Sequence, residues 1–207
     1  MKLVDMTVRN YLDVLASDAP APGGGSVSAL SAAQGAGLVI MVCDLTIPKE
    51  KYLQYKDLCV EVREEISSTY DKLIEAVDKD TEAFNRVSAA FKLPKDDEEQ
   101  KAKRSKAIQE ATVLATEVPY ETMELCICGL ETTAKIVGKS NPNAASDLGV
   151  AALNLLAGLK GAYLNVKINL PSIKDENIKL RFENAEDMVK KAEVLAEKIY
   201  EDVLNSL

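Results

Sequence analysis

Apolar residues recur along almost the whole chain at steps of three, four or seven, the spacing that lines one face of an α-helix. The clearest stripe is Leu58, Val62, Ile66, Tyr70, Leu73, Val77, Phe84, Val87 and Phe91. It predicts one long amphipathic helix over about 50–91. Val8, Tyr11, Leu12 and Leu15 share a face of a shorter helix over about 7–17. A breaker follows, Pro20-Ala21-Pro22-Gly23-Gly24-Gly25-Ser26, because two prolines and three glycines cannot continue a helix. The next helix, about 26–46, is rich in Ala, Ser and Gly, so another backbone can come close to it. Leu93-Pro94-Lys95 ends the long helix, and a charged segment opens another near 96–117. Pro119 is expected to restart or kink a helix that runs on to about 138. Ser140-Asn141-Pro142-Asn143 reads as a loop. A helix over about 144–169 stops at Leu170-Pro171, and a last one covers about 175–205. No strand-like alternation, internal repeat or low-complexity linker competes. The expectation is an all-α, single helical bundle with long amphipathic helices, one domain over residues 1–207.

Charge and composition narrow the function. The chain has 207 residues, 47% hydrophobic and 28% charged, enough to bury a core without metals or disulfides. Its net charge of -8 and the lack of a basic stripe argue against nucleic acid as a partner. The 26–46 helix barely reaches membrane-spanning length and carries Ser28, Ser31 and Gln34, so it reads as a buried central helix. The opening MKLVDMTVRN has no apolar signal core, and the expectation is a cytoplasmic protein without a membrane partner. The four cysteines, at 43, 59, 126 and 128, lack disulfide or zinc spacing and are expected to be core thiols. There is no histidine. That removes His-dependent triads and His-rich metal sites, so no metal is expected and acid–base work falls to Asp, Glu, Lys, Tyr or water.

A few residues break the helical pattern. Gly23, Gly24, Gly25 and Ser26 form either a plain sharp turn or a cradle of backbone N–H groups at a helix start. Asp80 lies three residues after Val77 and four before Phe84, so it falls on the apolar stripe. A carboxylate there must be paired, be protonated, or line a cavity. Asp147, in Asn143-Ala144-Ala145-Ser146-Asp147, sits near a helix start and reads first as a cap. Asn165 and Asn169 are four apart on one helix face, as interhelical bonds or as the wall of a polar pocket.

Three stretches together resemble the formiminotetrahydrofolate cyclodeaminase/methenyltetrahydrofolate cyclohydrolase family. They are PAPGGGSVSALSAAQGAGL at 20–38, DKDTEAFNRVSAAFKLPK at 78–95 and SNPNAASDLGVAALNLLAGLKGAYLNVKINL at 140–170. The resemblance implies an all-α homodimer that binds a tetrahydrofolate derivative in a cleft near the glycines. It implies no cofactor beyond the tetrahydrofolate substrate. Animal relatives fuse this module to a formiminotransferase domain, for which 207 residues leave no room, so a stand-alone module is expected.

The resemblance and the residue chemistry together give candidate roles. Asp80 and Asp147 are the acid–base candidates, sharing one cleft. Gly23, Gly24, Gly25 and Ser26 would present donors to the folate. Asn141, Asn165 and Asn169 would orient the pterin or hold the aspartates. Lys135, Lys139 and Lys167 are weaker candidates for the glutamate tail. The expected activity is hydrolysis of 5,10-methenyltetrahydrofolate to 10-formyltetrahydrofolate. The alternatives are cyclodeamination of formiminotetrahydrofolate with release of ammonia, and a non-catalytic folate-binding or scaffold dimer.

Overall fold

The computed structural model describes residues 2–207. Its helices are α1 (Val8–Leu15), α2 (Gly24–Asp44), α3 (Lys56–Phe91), α4 (Glu98–Ile136), α5 (Ala145–Asn169), α6 (Glu176–Lys179) and α7 (Ala185–Leu204), joined by short turns and 3-10 segments. The described residues contain no strand, and the chain is all-α. Helices α2 to α5 form the core, and α7 packs along α5 and α4.

Local signals account for the helix ends. Thr7 caps α1 by accepting from Asn10 N, and Asp97 caps α4 by accepting from Gln100 N. Gly138 adopts φ 69°, which turns the chain out of α4 into the 140–143 loop.

Helix α2 is long and apolar enough to cross a membrane, yet it runs through the middle of the bundle. Ala32, Ala36, Val39 and Val42 are fully buried there. Its small residues set the distance to α5, which runs antiparallel to it. A Cβ on Gly35 would come within 2.7 Å of the Ala151 carbonyl, and one on Gly158 within 2.7 Å of the Ser28 carbonyl. Two helices this close can be built only from residues without bulk at the crossing.

Three expectations are corrected. Of the two outcomes expected at Pro119, the restart does not occur: α4 runs through it for 39 residues. The cost of an interior proline, about 3 kcal/mol, is offset by tertiary packing around a buried Pro119. The last helix is in two pieces, because a 3-10 turn, Leu180–Phe182, separates α6 from α7. Cys43, Cys59 and Cys126 are buried, but Cys128 is exposed. Two residues advance a helix by about 200°, so burying Cys126 turns Cys128 outward.

Candidate functional site

The start of α2 meets the middle of α3 through Asp80. The Oδ2 oxygen of Asp80 accepts from Ser26 N at 2.9 Å and from Ser26 Oγ at 3.1 Å. Ser26 Oγ also lies 2.8 Å from the Val77 carbonyl and 3.2 Å from Thr81 Oγ1, so the serine is fully committed. The carboxyl group lies directly over Gly25, where any Cβ would overlap it. Only glycine at 25 lets the carboxylate approach the helix end. Burial is the largest influence on Asp80 and raises its pKa above the usual carboxylate range. The two hydrogen bonds from Ser26 oppose that shift without cancelling it.

Around this carboxylate lies a cleft of about 360 Å³, within the range of small-molecule sites. Gly23, Gly24 and Gly25 line it together with Asn165, Ile168 and Asn169 at the end of α5, where Asn165 lies close against Gly24. Phe84 and Val87 extend the floor one and two turns beyond Asp80. Asp80 is the one ionisable side chain among the lining residues. The cleft therefore offers a single carboxylate, a flat aromatic ring and amide groups, beside the positive end of α2. The carboxylate favours a cationic group beside it, while the start of α2 favours negative charge and so helps to hold the carboxylate itself.

The sequence profile of the formiminotransferase-cyclodeaminase family matches residues 7–188, which include every wall of this cleft. The chain belongs to that family. Methenyltetrahydrofolate cyclohydrolase from Methylorubrum extorquens is similar to it at 40% identity over 198 residues, 95% of each chain. Formimidoyltransferase-cyclodeaminase from Gallus gallus is 35% identical over 86% of this chain, which spans 33% of that longer protein. The crystal structure of formiminotetrahydrofolate cyclodeaminase from Thermotoga maritima matches with a TM-score of 0.80 at 27% identity, over 98% of this chain and 96% of that one. Family membership makes this chain a folate enzyme.

Within one chain of this family's fold, only part of the expected site comes together. Asp80, the three glycines, Asn165 and Asn169 share the cleft, with Ser26 directly beneath Asp80. Asp147 does not join them. It lies in the first turn of α5, eighteen residues before Asn165 and so roughly 27 Å away along a straight helix. Asn141 is also at that far end. Its backbone N donates to Thr46 Oγ1 at 3.0 Å, its Nδ2 to Leu45 O at 3.3 Å, and its Oδ1 accepts from Asn143 N at 3.1 Å. Asn141 thus ties down the loop before α5. Of the lysines, Lys135 is paired with Glu65 at 2.6 Å on the outer surface, and Lys167 sits over the Tyr163 ring at 5.8 Å.

Phe84 is the residue that sequence reasoning did not single out for the site: it is 42% exposed and lines the cleft. The available signal was its position one turn after Asp80 on the same helix face.

Proposed function

We propose that the protein is a methenyltetrahydrofolate cyclohydrolase. The observation that carries this reading is the half-buried Asp80 carboxylate, alone in a cleft with Phe84 and backed by Ser26. The similarity to the Methylorubrum cyclohydrolase over nearly all of both chains supports the same choice.

The substrate is 5,10-methenyltetrahydrofolate, whose one-carbon bridge carries the positive charge of an amidinium. A carboxylate facing that carbon stabilises the charge and accepts a proton as water adds. The neutral adduct then loses its hydroxyl proton to solvent while the carbon–N5 bond breaks. Asp80 returns its proton to N5, giving 10-formyltetrahydrofolate and one net proton. Phe84 supplies a face against which the pterin stacks. Burial, which lifts the pKa of Asp80, also makes it a better base near neutral pH.

A homodimer would give Asp147 a part in the same site. An exposed apolar stripe, Val150, Leu153, Leu164 and Ile168, runs the length of α5. With a two-fold axis perpendicular to α5, packing through that stripe would set α5 antiparallel to its copy. The start of one helix would then lie beside the end of the other, so that Asp147 of the partner subunit would approach the Asp80 cleft. Ile168, 75% exposed and part of the cleft wall, would be covered in the same contact.

The deciding experiment adds purified protein to 5,10-methenyltetrahydrofolate and follows its absorbance, with ammonia measured in parallel from 5-formiminotetrahydrofolate. Catalytic loss of the methenyl absorbance supports the hydrolase. Ammonia release without that loss replaces it with the cyclodeaminase. Binding without either makes the chain a folate-binding scaffold.

A further inference from the structure

Pro119 alters α4 chemically without ending it. Any other residue there would donate its backbone N–H to the carbonyl of Ala115, four residues earlier. Proline has no N–H to give. Asn169 Nδ2 donates to that carbonyl instead, at 2.8 Å, from the last turn of α5. Ala115 and Asn169 both line the Asp80 cleft, so this exchange occurs in the cleft wall. One turn back, Asn165 Nδ2 donates to Gly161 O at 2.9 Å. A carbonyl can only accept, so the nitrogen of each amide must face it and the orientation of each is set. Neither side-chain oxygen has a donor among the described residues.

We propose that Pro119 is a positioning residue for ligand recognition: it leaves the Ala115 carbonyl to Asn169 and so holds the Asn169 side-chain oxygen ready for a ligand N–H. The ligand group follows from the proposed function, on which this rests. The aminopyrimidinone edge of a reduced pterin carries N–H donors, the complement of two amide oxygens on one cleft wall. An alanine at 119 would restore the backbone donor, compete for the Ala115 carbonyl and release the Asn169 amide.

The test uses the full chain as wild type, Pro119→Ala, Asn169→Ala and the double variant. In Pro119→Ala the nitrogen-15 NMR signal of the Asn169 side-chain amide should shift and its hydrogen exchange quicken by about tenfold, as for a lost hydrogen bond. The KM for 5,10-methenyltetrahydrofolate should rise about tenfold in each single variant with kcat nearly unchanged, the mark of lost uniform binding. The double variant should be no worse than Asn169→Ala, since both changes remove one device. An unmoved Asn169 amide in Pro119→Ala, or additive KM effects, overturns the proposal. Should Pro119→Ala fail to fold, Asn169→Asp decides: an ionised carboxylate cannot donate to Ala115, and an unchanged KM would overturn the proposal. A wild type that turns over no folate sinks the functional reading instead, while the NMR comparison still decides whether Pro119 positions Asn169.

Discussion

Asp80 and Gly25 compete for one volume: the carboxyl group of the first occupies the space in which a side chain on the second would begin. The contact joins residues on two helices and brings a partly desolvated carboxylate to the start of α2. The site's chemistry and much of its fragility follow from it.

Gly25→Ala should displace Asp80 from Ser26. Overpacking of this kind costs about 1–3 kcal/mol, and the carboxylate would lose its aim as well. The expected result is a lower Tm with turnover reduced by more than the loss of folded protein explains. Denaturation midpoints and kcat measured on the same preparation check this.

Asp80→Asn should keep the helical circular dichroism and lose methenyl turnover. Its effect on stability has a defined sign. An aspartate in the unfolded chain titrates near ~3.9, and burial raises that of folded Asp80. Between the two values the folded state holds a proton that the unfolded state has released, so stability falls as pH rises through that window. The cost is fully present above the folded pKa and absent below the unfolded one. Asp80→Asn should therefore match or exceed wild-type Tm at neutral pH and lose that advantage in acid. Full activity in the variant would remove Asp80 from the mechanism.

The same shift predicts the acid limb of the pH profile. A base must be ionised, so kcat/KM should fall as pH drops through the raised pKa of Asp80, above the range of an ordinary carboxylate. A profile flat down to pH ~4 would contradict a base at this position.

Leu164→Asp tests the proposed dimer. Leu164 is 68% exposed in one chain and lies on the α5 stripe, so the change should leave the monomer fold intact. Sedimentation should show loss of the dimer at micromolar concentration, and turnover should fall with it. An active monomer would leave Asp147 without a route to the cleft.

Thiol labelling reads the helix rotation directly. Cys128 should react with a disulfide reagent in the native protein. Cys43, pushed up to about 12 by burial, and the other buried thiols should react only after unfolding.

Helix content was legible because the signal is local. The stripe from Leu58 to Phe91 needs only 3.6 residues per turn to show a face, and Asp80 stood out as the one charge upon it. The triple glycine announced a helix start for similar reasons, and the helices that carry Asp80, Asn165 and Asn169 were all named from their spacing. What periodicity does not contain is how helices stand against one another. The antiparallel crossing of α2 and α5 brings Asn165 and Asn169 to Gly24 and Asp80, and carries Asp147 and Asn141 to the opposite end. Pro119 shows the same division. Read alone it forecasts a restart or a kink, because a missing N–H is a local fact. The helix continues because tertiary packing holds it, and the donor that meets the Ala115 carbonyl arrives from Asn169, 54 residues on. Sequence by itself determined which segments coil and which residues are chemically out of place. Tertiary structure alone decided which of them meet, because a helix is a rigid rod whose two ends can serve different sites.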